Sequence, residues 1–505
     1  MTERFSMDRL LPTIPGLATA ALVLCTAPVQ AHEGEPLTLE AAVQRALAEN
    51  YAIRVHAFSV PIAEAAVSEA KGRFDPRLVF RDTRSNDERP QRLNTDTGEP
   101  YPSTIYESDA QQVALEGELP FGLGYQLSGR TSNDRGSWDG YADNHSSFAG
   151  VSARLPLLRG FGPAATLTGI RVARTNRDIS EWEFRAAVVD TITEVAYVYH
   201  ELVLAHASLR SARRSRELAE QLHRENEKRF GVGSMSEYDV LSARARVASR
   251  EENILLAERY VASVQLRLKR LISDERSTAL LDGPLLLAPL PPPAEMRVDI
   301  ASDIAAAHEL RPDFRQAQLA RQRSDELYRR ERNQLLPGLD LVGSYGYSGV
   351  GSDASSSRGQ IRDRDHPSYS AGIVLSLPIT STSERARAHS ARLVRERAEL
   401  QIRELEQSIV VRIGEAASEI DTAWKRVLAS RASRDLSQQT LDSEVKRLRA
   451  GPGSTFVVLQ LQEILSNDEV REARAVADYR NALAEYDRQT GRTLARHRIE
   501  LAPLE

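Results

Sequence analysis

The sequence has little cysteine, few aromatic residues and almost no net charge, and each shortage excludes a class of protein. Its 505 residues include one cysteine, Cys25, and only 6% are Phe, Trp or Tyr. The 66 Lys and Arg residues are balanced by 71 Asp and Glu, which argues against a nucleic-acid binder. A mean hydropathy of −0.40 excludes a helical membrane protein with many spans. With 41% hydrophobic residues, the chain is nevertheless typical of folded proteins.

The cysteine lies in the one strongly apolar stretch, near the N-terminus. Two arginines precede the apolar run 17–24, and the small or compact residues Val29 and Ala31 occupy the −3 and −1 positions of a cleavage site. This pattern predicts a secretory signal over residues 1–31. An uncleaved anchor helix is the alternative, although the run is short for a membrane span. After cleavage the chain would contain no cysteine, which excludes disulfides and thiol chemistry.

Three pairs of similar segments, in the same order along the chain, indicate an internal repeat. The pairs are two helical segments that end at a proline (50–76 and 311–337), two strands that end in Leu-Pro (151–157 and 373–379) and two segments that begin with serine (236–241 and 454–459). They predict two copies, residues 32–281 and 300–505. The proline-rich linker between them, residues 282–299, is predicted to be extended.

Each copy contains two very long predicted helices. Apolar residues recur every three or four positions and predict a coiled-coil-like seam, which in the first copy is Val188, Ile192, Val195, Tyr199 and Leu202. Proline-free helices are predicted from about 165 to 229 and from about 384 to 449, each about 100 Å long. Glycine turns near 231–236 and 450–455 end them, and a second helix returns from each turn. Hairpins this long cannot cover both faces, so we expect partners.

The strand-like segments are rich in Gly, Ser and Tyr. Alternate side chains are apolar over 339–347 and 369–375, with a predicted polar loop, 352–366, between them. Alternation of this kind suits a barrel with one face to lipid and one to water, and an edge hairpin of a soluble sandwich is the alternative. The acidic residues of 82–110 and 353–365 are predicted to lie in solvated extracellular loops, and a calcium site there is the alternative. A further strand-like segment, 112–130, has no assigned place and is predicted to be an added hairpin.

These segments together resemble the TolC-type outer membrane factors, the outer membrane efflux protein family. The matching stretches are Leu37-Thr38-Leu39-Glu40-Ala41-Ala42-Val43, Glu309-Leu310-Arg311-Pro312-Asp313, the Leu-Pro strand ends, and Phe230-Gly231-Val232-Gly233 followed by Asp239-Val240-Leu241. They extend over essentially the whole predicted mature chain, in the family's order.

The resemblance implies a mainly α fold with β structure. Long antiparallel helical hairpins would form an α-barrel, and three chains would give four strands each to a trimeric 12-stranded transmembrane β-barrel. The implied function is the passive exit duct of a tripartite efflux or type I secretion system in the outer membrane, with a long periplasmic extension. It implies no enzyme activity and no cofactor.

The partners that the resemblance implies are a homotrimer, a periplasmic adaptor protein, an inner-membrane pump and outer membrane lipid, with no nucleic acid. Drug or metal efflux and protein secretion both stay open, because pump and adaptor choose the cargo. The alternative function is a periplasmic structural coiled coil that tethers the envelope or binds ligands.

By the resemblance, the helix tips form a gate at the periplasmic end. The tip and gate positions are Gly233, Asp239, Gly451, Gly453, Val457 and Gln460. Family members often carry acidic residues at the positions of Val457 and Gln460, and a bracing Tyr and Arg where this chain has Leu448 and Gly453. We therefore expect an apolar constriction at Val457 in place of a cation-selective ring. The alternative is that Val457 packs between helices.

Candidate catalytic motifs are incomplete. His200-Glu201 resembles the start of the zinc-protease motif H-E-x-x-H, but Leu204 occupies the second histidine position. The glycines at 117, 122 and 124 lie in strand-like sequence with no following Lys-Ser or Lys-Thr, unlike a phosphate-binding loop. We predict that His200 lies on a helix surface and that the chain is not an enzyme.

Overall fold

The computed structural model describes residues 36–90, 96–98, 103–137, 140–450 and 454–501. The predicted signal sequence and the tip glycines Gly451 and Gly453 lie outside these residues. The described chain divides into two compact units. The first unit contains the described residues up to Pro61, Glu183–Pro312 and those from Ile409 onwards, and the second contains Ile62–Trp182 and Asp313–Ser408. Each unit contains residues of both predicted repeats.

The helices and strands follow one another along the chain in two groups, one for each predicted repeat. The first repeat contains α1 (Leu39–Glu49), α2 (Tyr51–Ala57), α3 (Ser59–Lys71), β1 (Arg77–Arg89), β2 (Thr104–Glu118), β3 (Gly124–Gly136), β4 (Asn144–Pro156), α4 (Pro163–Thr166), α5 (Thr168–Gly231) and α6 (Glu237–Ile272). The second contains α7 (Ile300–Leu310), α8 (Pro312–Asn333), β5 (Gly338–Gly351), α9 (Ala354–Asp363), β6 (Pro367–Ser376), α10 (Thr382–Ala450), α11 (Thr455–Thr490) and α12 (Thr493–Arg496). The long helices predicted over 165–229 and 384–449 are confirmed as α5 and α10.

The core of the first unit lies along α5. The predicted seam is confirmed, because its members are at most 1% exposed: Val188, Ile192, Val195, Tyr199 and Leu202. Leu268 of α6 and Val43 of α1 belong to the same buried cluster. Burying an aliphatic or aromatic side chain of this size contributes about 1.5–3 kcal/mol, so this seam holds the short N-terminal helices and the α5–α6 hairpin together.

The two long hairpins of the first unit are joined side by side by polar contacts. Four hydrogen-bonded or ionic pairs connect α5 to α11 at 2.7–2.9 Å: Tyr197–Glu485, His200–Asn481, Ser211–Ser466 and Arg214–Glu469. Within the hairpins, Arg213 contacts Glu258 across α5 and α6, and Arg431 contacts Glu472 across α10 and α11. Over these residues, away from the tips, the four long helices of this unit therefore neighbour one another in the order α6, α5, α11, α10.

The linker 282–299 lies against these helices as an extended strap. The Leu37 N–H donates to the Leu286 carbonyl at 2.6 Å, and the Tyr199 hydroxyl donates to the Leu37 carbonyl at 2.9 Å. The Tyr479 hydroxyl of α11 donates to the Ala294 carbonyl at 2.7 Å. We call residues 282–299 the strap. Its prolines lack N–H groups, and the Tyr479 hydroxyl satisfies a strap carbonyl that secondary structure would otherwise pair.

The second unit contains a sheet of six antiparallel strands among the described residues, in the order β1-β2-β3-β4-β5-β6. The mainly helical fold class with β structure is confirmed. The strand count is a correction, because the resemblance implied four strands per chain. The difference is the β2–β3 hairpin, which contains the segment 112–130 and lies between β1 and β4. The expected added hairpin therefore belongs to the main sheet, and Gly122 (φ +98°) lies in its turn.

Two predicted loops are also corrected. Residues 82–89 and 104–110 of the acidic stretch belong to the paired strands β1 and β2. Their charges are compensated between neighbouring strands, because Arg84 contacts Asp109 at 2.5 Å and Arg135 contacts Asp109 at 3.3 Å. The polar loop 352–366 contains α9, which Asp353 caps by accepting hydrogen bonds from the N–H groups of the second and third residues that follow it. α9 packs on β4 and β5, where the Ser357 and Ser147 hydroxyls are 2.8 Å apart.

Candidate functional site

The sheet has two faces of opposite chemistry. Side chains alternate between faces along each strand, and the strand pairing connects those on one face. One face carries large apolar side chains that are 37–82% exposed: Leu78, Phe80, Val113, Leu115, Leu127, Val151, Leu341, Tyr345, Tyr369, Ile373 and Leu375. We call these residues the apolar face. A contiguous exposed patch of this kind marks a surface that another apolar phase or a partner covers.

The opposite face is polar. Hydroxyl, amide and charged side chains recur on it: Arg81, Gln112, Glu116, Gln126, Ser128, Ser152, Arg154, Asp340, Ser344 and Ser370. Arg154 and Asp340 form an ion pair across β4 and β5, and the Ser344 and Ser370 hydroxyls are 2.7 Å apart. We call this side the polar face. It resembles the wall of a water-filled channel, because its groups can hydrogen-bond water or one another.

One aromatic ring on the polar face lies flat on the strands. A Cβ atom added to Gly150 or Gly346 would come within 2.7 Å of the Phe148 ring. The two glycines therefore leave the space that the ring occupies. A bulky side chain is accommodated in this way against the sheet instead of projecting from it.

The first helix tip, between α5 and α6, is a short glycine turn. Gly233 has φ +72°, the left-handed conformation that glycine adopts without strain, and its N–H donates to the Phe230 carbonyl at 2.9 Å. Ser236 caps α6 by accepting from the Asp239 N–H at 3.3 Å, and its hydroxyl donates to the Asp239 carboxylate at 2.5 Å. Asp239 thus belongs to the cap, and Val232 and Tyr238 beside it are each 78% exposed.

The second tip, between α10 and α11, is held by a carboxylate. Glu444 is 8% exposed, accepts from the Ser454 N–H at 3.4 Å and contacts Arg447 at 3.1 Å. Val457 is 37% exposed, and Gln460 is also exposed. The residue that packs between α10 and α11 is Val458, in a small cluster with Leu441 and Leu465.

Contacts between the tips were not predicted from the sequence. The Arg246 guanidinium of α6 lies 5.8 Å from the centre of the Phe456 ring, which is itself 62% exposed. Arg250 contacts Glu463 at 3.2 Å. These pairs and the buried Glu444 brace the tips in a chain that has Leu448 where the resemblance leads one to expect a bracing residue. The sequence feature that could have indicated the contact with Arg246 is the aromatic residue Phe456, directly before Val457.

The prediction that His200 lies on a helix surface is wrong. It is 5% exposed between α5 and α11, and its Nδ1 lies 2.9 Å from the Asn481 side-chain oxygen. Burial lowers the pKa of His200 to about 4, so the ring is neutral at physiological pH. Its role is to join two helices. The described residues contain no group of three or more His, Cys, Asp and Glu side chains that could hold a metal ion.

The family profile described as "Outer membrane efflux protein" matches residues 42–273 and 304–492. The chain belongs to the outer membrane efflux protein family. No curated protein matches the sequence. The family assignment explains the two-faced sheet, because the family consists of passive outer membrane channels and an outer membrane barrel needs an apolar face toward lipid.

Solved channels of similar fold agree with this assignment. The chain is 16% identical to the CmeC outer membrane channel of Campylobacter jejuni, with a TM-score of 0.66 over 92% of this chain and 87% of that one. A membrane protein of Pseudomonas aeruginosa gives 19% identity and a TM-score of 0.68 over 90% of each chain. The outer membrane protein VceC of Vibrio cholerae gives 14% identity and a TM-score of 0.64 over 90% and 96%.

The protein is thus an outer membrane efflux channel with long periplasmic helices, and the alternative of a periplasmic tether is not favoured. None of the helices in the described part of the chain combines the length and apolar character that a membrane crossing requires.

Proposed function

We propose that three copies of this chain form one continuous duct from the periplasm to the exterior. The observation that carries the proposal is the pair of faces on one sheet. The apolar face would contact outer membrane lipid, and the polar face would line the water-filled lumen. A single open sheet cannot enclose a lumen in the membrane, because its edge strands would leave backbone groups unpaired in lipid.

The long helices support the same assembly. Apolar side chains remain exposed on the two outer helices of the row: Leu255 and Leu256 on α6, and Val411, Leu428 and Leu436 on α10, at 48–66% exposure. Contact between α6 of one copy and α10 of the next would cover such side chains and close a helical tunnel. At about 25 cal/mol per Å² of buried apolar area, several such side chains on each edge would favour association.

The tips are the proposed gate and the proposed meeting point with a periplasmic adaptor protein and an inner-membrane pump. Gly233, Asp239, Gly451, Gly453, Val457 and Gln460 are the positions assigned to it. Exposure of Val457 and burial of its neighbour Val458 support an apolar constriction at Val457. Opening would need the tip contacts, such as Arg246 on Phe456, to rearrange when the partners bind.

The first experiment is conductance of the purified mature protein in a planar lipid bilayer. We expect discrete, small and stable steps, because the lumen is continuous but constricted at its inner end. A silent bilayer, together with protein that stays in solution without detergent, would contradict the proposal.

A second measurement tests the constriction. In Val457→Asp each copy adds one charge at the gate, and we expect cation-over-anion permeability to rise by several fold. Ser443→Asp, an equal charge change at an exposed α10 position, is the matched control and should leave selectivity near wild type. Equal selectivity of wild type and Val457→Asp would remove Val457 from the gate.

A further inference from the structure

We infer that three copies close an eighteen-stranded barrel, with β1 of each copy paired to β6 of the next. The inference rests on the proposed trimeric duct and specifies its outer opening. It concerns the added β2–β3 hairpin, which makes each chain contribute six strands in place of four.

The internal repeat identifies β2 and β3 as an insertion. The segment that leads into β1 matches the one that leads into β5, and the end of β4 matches the end of β6. The second repeat therefore has one hairpin, β5–β6, where the first has β1 and β4 with two further strands between them. Without the insertion, β1 and β4 would be neighbours as β5 and β6 are.

The inserted hairpin is fully part of the sheet. β1 pairs with β2 without interruption from Arg77↔Glu116 to Arg89↔Thr104. β3 pairs with β4 from Gly124↔Arg154 to Asp134↔Asn144. Because both sides of the hairpin are paired along their length, it cannot fold away from the wall without breaking two ladders.

The edges of the sheet are open and suited to each other. Among the described strands, β1 is paired only with β2 and β6 only with β5. All ten residues of β6 are exposed, and in β1 only Val79 is partly covered. Six is an even number, so β1 and β6 run in opposite directions and an antiparallel ladder between copies continues the sheet.

Side-chain chemistry at the edges favours a second copy as the occupant. Leu78 and Phe80 on β1 share the apolar face with Ile373 and Leu375 on β6, while Arg81 and Ser370 lie on the polar face. A β1–β6 pair therefore keeps lipid-facing groups beside lipid-facing groups. An unpaired edge 13 residues long would otherwise be a site of aggregation.

The consequence is a wider outer opening. With strands about 4.8 Å apart and tilted by about 40°, eighteen strands close at a backbone diameter of about 36 Å, whereas twelve close at about 24 Å. The cross-section would be about twice as large, as in barrels of sixteen to eighteen strands that leave an aqueous channel.

The test is cross-linking between copies in full-length protein carrying Cys25→Ser. One variant combines Arg81→Cys on β1 with Ser370→Cys on β6, and its matched control combines Ser128→Cys on β3 with Ser370→Cys. Within one chain the two positions of the first variant are five strands apart, about 24 Å, so a short bis-maleimide can join them only between copies. We expect covalent dimers and trimers from the first variant and monomers from the control.

End-on electron microscopy of the same protein gives a second readout, with an expected ring of about 36 Å. A ring near 24 Å with normal conductance, or cross-linked trimers from the β3 control, would overturn the eighteen-stranded barrel and leave the proposed duct intact. Absence of both conductance and any oligomer would overturn the proposed duct itself.

Discussion

The sheet exposes large apolar side chains, whereas the long helix α5 buries them. The α5 seam is almost fully buried, and neighbouring hairpins meet through polar pairs such as His200–Asn481. The sheet instead exposes Leu127 and Ile373, and its hydroxyl and charged groups lie on the other side. The difference teaches that the helices suit water, whereas the sheet has one apolar and one polar face. The proposed duct would place the apolar face against lipid and the polar face against water.

The largest expected effect comes from placing a charge on the apolar face. Leu127→Arg should destabilise the assembled protein by about 2–4 kcal/mol per copy, because the guanidinium would enter lipid. Gln126→Arg, one residue away on the polar face, is the matched control and should assemble normally. Urea unfolding of the protein in lipid vesicles measures both. Equal stability of the two variants would contradict the assignment of the faces.

The second effect tests a buried polar pair in the helical unit. The Tyr486 hydroxyl donates to Asp303, which also contacts Arg492, and both Tyr486 and Asp303 are buried. Tyr486→Phe removes a hydrogen bond to a charged group and should cost about 1.5–3 kcal/mol.

The control for this variant is Tyr260→Phe. The Tyr260 hydroxyl also donates to a carboxylate, that of Glu201 at 2.8 Å, but Tyr260 is 41% exposed. We expect a cost below about 1 kcal/mol there. Thermal unfolding in detergent compares the two, and a larger loss in Tyr260→Phe would contradict the role of burial.

The third effect is a pH dependence that belongs to the helices. His200 has a pKa lowered to about 4 by burial, with Arg480 acting in the same direction. His200 therefore binds a proton more readily in the unfolded chain than in the folded one. The contribution of neutral His200 to the free energy of unfolding is present above about pH 6.5 and is lost as pH falls toward 4. Between pH 7 and 5 the loss should be about 2 kcal/mol. His200→Gln should flatten that part of the curve, and an unchanged slope would exclude His200 as its source.

The smallest expected effect concerns an exposed ion pair between hairpins. Arg214 contacts Glu469 at 2.9 Å, and its side chain is 57% exposed. Arg214→Ala should cost less than about 1 kcal/mol and less at high salt. Unfolding curves at low and high salt measure this. If Arg214→Ala lowered the free energy of unfolding by more than Tyr486→Phe does, exposed polar contacts between hairpins would contribute more to stability than the buried hydrogen bond.

The helices could be predicted from the sequence because their signal is local. The spacing of Val188, Ile192 and Val195 repeats along one stretch, and no proline interrupts it, so both ends of α5 were predicted within a few residues. Gly233 and Ser236 gave the turn and the cap for the same reason.

The sheet was harder because strand pairing is not local. The segments that become β5 and β6 alternate clearly, but the outer parts of β1 and β2 carry charges on both faces. Such a stretch has the composition of a loop, and only pairs across the sheet, such as Arg84 with Asp109, reveal a strand. The positions of β2 and β3 in the sheet follow from the same non-local pairing.

The candidate gate was only partly accessible from the sequence. Asp239 and Val457 could be named by alignment, but the burial of Glu444 and of His200 depends on which helix lies beside them. A histidine on a charged helix is usually exposed. The neighbouring hairpin overrides that preference here by supplying Asn481.

The strap also contacts α11 far from the tip. Tyr479 is tied to it, whereas α11 extends from Tyr479 to Thr455 with 24 residues, about 36 Å of helix, toward the tip. Lateral contacts such as Ser211–Ser466 and Arg214–Glu469 hold α11 to its neighbour over that length, so the hairpins would turn together as one arm about the level of the strap. A small rotation at Tyr479 would become a displacement of several ångströms at Phe456, so modest work by a partner at the tip could move it far.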